Sequence, residues 1–254
     1  MIEGLSGKGV LVTGGSTGIG AAAARGFAKN GAKVAIHYNA SADEARAVCD
    51  EITATGGTAV LVQGDFGSSP HDGKRVVAEA AAALGRLDVL VNNAGSLVRR
   101  TPILELDDAL YDATMNLNVR SVISAVQGAV PHMQAQSGGA IINVGSIAGN
   151  DGGGPGSGHY AAAKAYIHNM TRHLARDLAG LNIRVNAIAP GVIATPFHAA
   201  TPPERMEAMR NAVTLGRIGD PEDCVGPILF LASPVMSGYV TGQILHVNGG
   251  QLMP

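Results

Sequence analysis

Seven short runs of apolar residues recur along the chain, at 10–12, 34–36, 59–62, 89–91, 141–144, 183–186 and 244–247. Within most of them the apolar residues follow one another without polar interruption, which is the pattern of strands covered on both faces, as in a parallel sheet. Between the runs, Ala-rich stretches with helical composition or spacing cover about 18–30, 41–55, 70–84, 107–136, 159–179 and 221–232. Gly and Pro fall mostly at the joints. Strand and helix in alternation predict an α/β fold: a doubly wound, Rossmann-type domain whose seven-stranded parallel sheet is flanked by helices on both faces. No Pro/Ser-rich linker or shift of composition divides residues 1–254, so one domain is expected.

Composition narrows the function. Eighteen Lys and Arg against twenty Asp and Glu leave a formal charge of −2, which offers no electrostatic footprint for nucleic acid or an anionic membrane. The two cysteines, Cys49 and Cys224, are too few for a disulfide framework or a four-ligand zinc site, and they point to a reducing compartment, the cytoplasm. No apolar run reaches the ~18 residues of a membrane span, and the first residues lack the apolar segment of a signal peptide. Thirty-five glycines in a chain that is 46% hydrophobic and has no Trp imply an aliphatic core with glycine used locally.

The first such place is Thr13-Gly14-Gly15-Ser16-Thr17-Gly18-Ile19-Gly20, between the first strand and the first helix. A glycine turn allows close backbone approach, and the helix N-terminus behind it offers free N–H groups to a pyrophosphate. The spacing is G-x-x-x-G-x-G, not the G-x-G-x-x-G fingerprint. Dinucleotide folds place an acidic residue near the end of the second strand, where it holds the ribose hydroxyls of NAD and repels the 2′-phosphate of NADP. Tyr38 occupies that position, no Arg or Lys adjoins it, and Asn39 and Ser41 can donate hydrogen bonds. The cofactor reading leans to NADP(H), with NAD(H) possible.

Tyr160 precedes Lys164 by four residues, which puts both on one face of a predicted helix. Ser146 follows the apolar run at 141–144, on the carboxyl side of a strand, where ligands bind in such sheets. Asn118 lies inside the long predicted helix, where Asn is otherwise a poor choice, and Asn116 competes with it. An ammonium ~4 Å from a phenol at an effective dielectric of ~20 contributes about 4 kcal/mol, so Lys164 is expected to bring the Tyr160 hydroxyl from near 10 toward about 7. His159 and His198 have no carboxylate at ligand spacing, and no metal site is expected.

Taken in order, these motifs resemble the short-chain dehydrogenase/reductase family, in its compact branch with TGxxxGxG and YxxxK. The likeness extends to Asp65, to Asn92-Asn93-Ala94-Gly95, to Pro190-Gly191 with Thr195, and to the ending Thr241-Gly242-Gln243 through Asn248-Gly249-Gly250. It touches both the 3-oxoacyl-carrier-protein reductase-like and the sugar/polyol dehydrogenase-like members. The resemblance implies a catalytic tetrad of Asn118, Ser146, Tyr160 and Lys164, and an NAD(P)-dependent oxidoreductase that interconverts a secondary alcohol and a ketone with Tyr160 as general acid/base. Ser146 would donate to the substrate oxygen, Lys164 would hold the nicotinamide ribose, and Asn118 would hold a water. Gly14, Ser16, Thr17, Gly18, Ile19 and Gly20 would line the pyrophosphate. Asp65 and Phe66 would flank the adenine, Asn92 the adenosine ribose, with Ala94 and Gly95 beside it. Pro190, Gly191, Ile193 and Thr195 would lie at the nicotinamide, where Ile193 and Thr195 meet the carboxamide.

A substrate lid is expected over about 192–212, with Phe197, Met206 and Met209 as its apolar part, opposite a glycine-dense loop at 147–159. The partner is a small-molecule carbonyl or alcohol, either an acyl ketone, a sugar or polyol, or a cyclic ketone, and the resemblance implies a homo-tetramer. A non-catalytic dinucleotide-binding redox sensor is the alternative; such a protein has no use for Tyr160 and Lys164 together.

Overall fold

The computed structural model describes residues 2–69, 71–199 and 201–254. Pro70, at the start of the helix expected over 70–84, and Ala200, in the expected lid, lie outside the described residues. Seven strands form one parallel sheet: β1 (Gly9–Val12), β2 (Lys33–Tyr38), β3 (Thr58–Gln63), β4 (Val89–Asn92), β5 (Gly139–Val144), β6 (Ile183–Pro190) and β7 (Ile244–Val247). Their spatial order is β3-β2-β1-β4-β5-β6-β7, so the winding reverses between β1 and β4, and a crevice opens at the carboxyl ends there. Register is continuous across this reversal, with Leu11 between Ala35 and Leu90.

The sheet divides the core. Val10, Val12, Val34, Ile36, Val89, Val91 and Ile142 face one layer, under α1 (Gly18–Lys29), α2 (Ala42–Ala54) and α9 (Val225–Ala232). Leu11, Ala35, Leu90 and Ile141 face the other, under α3 (Asp72–Leu84), α5 (Ser121–Ala135) and α7 (Gly158–Asp177). Each fully buried Val, Leu or Ile stabilises by about 1.5–3 kcal/mol, and with both faces covered Val10, Leu11 and Val12 of β1 all contribute. Small residues let the layers close up. A Cβ on Gly26 of α1 would stand 2.5 Å from Val225 Cγ1, and a Cβ on Gly73 of α3 would stand 2.6 Å from the backbone of Ala125 in α5.

At the amino end of the sheet, Asp88 clamps β1 to β4. Its buried carboxylate accepts from the Gly9 N–H at 2.9 Å, from Arg86 at 2.6 and 2.7 Å, and from Lys8 at 3.0 Å. Burial alone would raise its pKa, but Arg86, the Gly9 N–H and Lys8 outweigh it and hold the carboxyl below the usual range.

All seven expected strands form. The helix expected over 107–136 is instead α4 (Asp108–Met115), a π-helical turn (Asn116–Arg120) and α5. The side chain of Asn118 causes the widening: its Nδ2 donates to the Thr114 carbonyl at 2.9 Å, inserting into the ladder where a backbone N–H would bond. The stretch expected as a helix over 221–232 opens as a 3₁₀ turn (Pro221–Cys224) before α9. Two helices fall where loops were expected, α6 (Ala148–Asp151) and α8 (Pro203–Asn211); the latter starts on a Pro, whose fixed φ suits a first helical position.

Candidate active site

The carboxyl ends of β1 to β6 open onto a cleft of about 890 Å³. That is near the top of the ~300–1,000 Å³ usual for small-molecule sites, and its extension across six strands suits a long ligand.

Just past β1 stands Thr13, whose hydroxyl accepts from the N–H groups of Asn93 and Ala94 at 2.9 and 3.0 Å, locking the turn to the end of β4. Asn93 Nδ2 answers by donating to the carbonyls of Thr13 and Gly14, both at 2.9 Å. Gly14 and Gly18 adopt φ of +60° and +52°, which only Gly takes without strain. Gly20 serves packing: a Cβ there would stand 2.2 Å from the Gly14 carbonyl oxygen. The Thr17 side chain does not cap α1, which leaves the first-turn N–H groups facing the cleft, as an anion requires.

His37 is the third support of the turn. Its Nδ1 accepts from the Gly14 N–H at 3.0 Å, while Nε2 lies 3.1 Å from the Gly64 carbonyl and must donate to it. These two bonds fix one neutral tautomer. The ring stacks on Phe66 at 4.2 Å with an interplanar angle of 12°. Burial, opposed by the Gly64 bond, lowers its pKa to about 4.

Ser146, Tyr160 and Lys164 meet on the cleft floor. Ser146 sits in the turn after β5, with its Oγ accepting from the Ala148 N–H at 3.1 Å and its own N–H directed at His168 Nε2 at 3.4 Å. Tyr160, half-buried, lines the same stretch of cleft as Ser146, whose hydroxyl lowers the phenol's pKa. Lys164, one turn along α7, is buried; its Nζ donates to the Val144 carbonyl at 2.8 Å and stands 5.6 Å from the Tyr160 ring centroid. Burial lowers its pKa to about 8, so it stays mostly charged at neutral pH. A buried ladder from Asn92 Nδ2 to Asn143 Oδ1 and from Asn143 Nδ2 to Thr171 Oγ1, each 2.9 Å, ties β4 through β5 to α7 and so sets where Tyr160 stands.

Asn118 lies just beneath the floor. Its Nδ2 is held by the carbonyls of Ser96 and Thr114, while its buried Oδ1 has no hydrogen-bond partner among the described residues. That oxygen and Lys164 Nζ lie 2.7 and 3.1 Å from the point where a Cβ on Gly95 would sit, so glycine keeps this space open. Asn116 pairs instead with Arg120 at the surface.

Of the residues singled out in the sequence, Gly14, Ser16, Thr17, Gly18, Ile19, Asn39, Ser41, Phe66, Ala94, Gly95, Ser146, Tyr160, Lys164, Pro190, Gly191, Ile193 and Thr195 line the cleft. Five do not. Asn118 and Gly20 act from behind the wall, as described above. Tyr38 is a correction: strand alternation turns it into the α1/α2 layer with Ile36, while His37 and Asn39 face the cleft. Asp65 turns away, its Oδ1 capping the N–H groups of Gly67 and Ser68 at 3.0 and 3.2 Å. Asn92 is committed to Asn143, and its neighbour Asn93 lines the cleft in its place.

A further correction concerns charge. The Tyr160 hydroxyl is pushed up to about 12 by burial, which the Ser146 hydroxyl only partly offsets, so it does not approach 7 in the free site. Reading the sequence also missed His37, Arg100 and His168, and it named Asn93 only within its motif. Period-two alternation along β2 carried the signal for His37; the others depend on tertiary placement.

The cleft therefore fits a dinucleotide: an unsatisfied helix N-terminus at the glycine turn, a β2 end without an acidic side chain facing it, and an orphaned carbonyl oxygen beside Lys164. Residues 14–251 match the family model described as Enoyl-(Acyl carrier protein) reductase. The chain is 38% identical over 246 residues to 3-oxoacyl-(acyl-carrier-protein) reductase FabG of Staphylococcus aureus, covering 97% of this chain and 98% of that one. It is 43% identical over 250 residues to L-rhamnose 1-dehydrogenase (NAD(P)(+)) of Azotobacter vinelandii, covering 96% of each. Among solved structures, the blue fluorescent protein from a metagenomic library in complex with NADPH superposes with a TM-score of 0.91 at 40% identity, over 99% of this chain and 100% of the other.

Proposed function

We propose, from the premise that this chain belongs to the short-chain dehydrogenase/reductase family of oxidoreductases, that it interconverts a secondary alcohol and a ketone with Tyr160 as the general acid/base. The observation that carries the reading is the convergence of Ser146, Tyr160 and a buried Lys164 on the floor of a cleft that begins at an anion-ready glycine turn. Relatives named as a ketone reductase and a sugar dehydrogenase support the reaction class.

When bound, the nicotinamide cofactor supplies or accepts the hydride and, oxidised, adds positive charge beside Tyr160. The residues of the chain do the rest. Ser146 donates a hydrogen bond to the substrate oxygen, where negative charge grows as the carbonyl is reduced. Tyr160, protonated in the resting site, delivers its proton to that oxygen; in the opposite direction its deprotonated form takes the proton from the alcohol. Asn118 Oδ1, beside Lys164 Nζ under Gly95, holds a water through which the proton is replaced. The first-turn N–H groups at Ser16–Ile19 hold the pyrophosphate, and Asn39 and Ser41 meet the adenosine ribose. With no acidic side chain beside them the site favours NADP(H) while admitting NAD(H).

Phe197 packs on the Tyr160 ring at 5.5 Å, and we assign the lid to about 192–212 on that contact. The protein is read as a cytoplasmic homo-tetramer acting on a small molecule. Replacing Tyr160 with Phe tests the mechanism: turnover should fall by about 10²–10⁴-fold while cofactor binding, read by fluorescence titration, is retained. Undiminished turnover would sink the proposed role.

A further inference from the structure

Two arginines converge on the glycine loop opposite the lid. Arg100, in the connection after β4, lines the cleft and donates from Nη1 to the Pro155 carbonyl at 3.0 Å, leaving most of its five N–H donors free. Arg205, in the first turn of α8, lays its guanidinium against the same loop: Nη2 is 2.6 Å from the point where a Cβ on Gly154 would sit. His198 completes the group, its pKa lowered first by burial and then by the charges of Arg100 and Arg205.

Among the described residues these cations have no counter-ion. Their neighbours do: Arg99 pairs with Asp107 and Arg210 with Glu207, whereas neither Arg100 nor Arg205 has a carboxylate within 4.0 Å among the described residues. Asp151, the one acidic side chain lining the cleft among them, turns its Oδ1 to the Gly153 N–H at 2.8 Å. Two guanidiniums brought to one loop repel each other, and an anion between them removes that cost. Position excludes the cofactor's phosphates as that anion. The glycine turn lies at β1, and Arg100 reaches the other way, past the end of β4 to the segment after β5. His198 also joins the cluster to the chemistry, since its ring meets Phe197 at 5.1 Å and Phe197 meets Tyr160.

We infer that the substrate carries a compact anion, a carboxylate or a phosphate, and that Arg100 and Arg205 hold it where the substrate leaves the cleft past Phe197. This rests on the hydride-transfer reading above. It makes the substrate an acidic ketone or alcohol, and it makes the lid a sensor of charge: Arg205 rides on α8, so an anion bound to both arginines draws that helix toward the loop after β5.

The test uses matched pairs: acetoacetate and levulinate against their methyl esters, and fructose 6-phosphate against fructose, each with NADH and NADPH. Wild-type kcat/KM should favour the charged member by about 10- to 100-fold. In the R100Q/R205Q double variant the ratio should fall toward one, and R100K/R205K should keep part of it. Taking the ratio within each variant cancels any loss of folded enzyme. A preference limited to one pair supports the inference and names the anion. Equal or better use of the neutral members, or a ratio unchanged in the double variant, overturns it. Calorimetric binding of the same compounds to the cofactor-loaded enzyme runs in parallel. Charge-dependent binding without turnover would count against the hydride-transfer reading alone, and charge-blind binding would overturn the inference.

Discussion

Lys164 and Tyr160 share the cleft floor, yet the ammonium is spent on the Val144 carbonyl at 2.8 Å and stands 5.6 Å from the phenol's ring centroid. The phenol consequently keeps its proton, held up to about 12 by burial. Reduction of a ketone starts from this form, while oxidation of an alcohol needs the proton gone. Between about pH 6 and pH 10, kcat/KM for oxidation should climb, whereas that for reduction should stay level and then decline as Lys164 loses its charge near 8. Parallel pH profiles in the two directions would contradict this assignment.

His37 and His168 give the fold an acid limit. Both are buried and neutral with pKa lowered to about 4, against about 6.5 in an unfolded chain. Between those values the unfolded state binds more protons, so stability is complete above about pH 6.5 and is lost as pH falls toward 4, on the order of 3 kcal/mol for each histidine. Urea unfolding at a series of pH values should show the slope, and His37→Gln should reduce it by one proton. Protonated His37 would also set a second donor against the Gly14 N–H, so dinucleotide affinity should weaken over the same interval.

Gly20 is held by geometry, since a methyl group there meets the Gly14 oxygen at 2.2 Å and Asn93 Nδ2 at 2.5 Å. Gly20→Ala should cost about 1–3 kcal/mol or more and displace the turn, raising the cofactor Kd well beyond what the stability loss explains. Gly180→Ala, with nothing within 4 Å of the new methyl, should stay within about 0.5 kcal/mol of wild type. Thermal unfolding and cofactor titration on both variants provide the comparison.

Asn39 faces the cleft from the end of β2. Asn39→Asp places a carboxylate where a 2′-phosphate would lie, so KM for NADPH should rise at least about tenfold relative to KM for NADH. Substituting Tyr38 by Asp should shift the ratio far less, because that side chain packs under α1 and α2.

How much of this was legible in the sequence depends on whether a feature is local. Strands buried on both faces show as unbroken apolar runs, so all seven were readable, as were the glycine turn and the Tyr160–Lys164 pair. The end of β2 was readable too, but only by counting faces: His37 and Asn39 share one side, and Tyr38 has the other. Asp65 and Asn92 were named for their positions after strands, yet each spends its side chain on a nearby partner. The break at Asn116 arises because the Asn118 amide reaches back to Thr114, which composition does not reveal. Burial inverted the expected shift of Tyr160, and Arg100 and Arg205 reach one loop only through the fold.

The sheet is a partition as well as a scaffold. The glycine turn leads into α1, braced by one apolar layer, and α7, which carries Tyr160 and Lys164, is braced by the other. On the proposed roles, a packing change under α1 should shift the glycine turn and leave Tyr160 in place; a change under α7 should do the reverse. Cofactor choice and substrate chemistry can therefore drift on separate sides of one wall, and a designer can retune either by repacking the layer behind it, without touching a residue that contacts ligand.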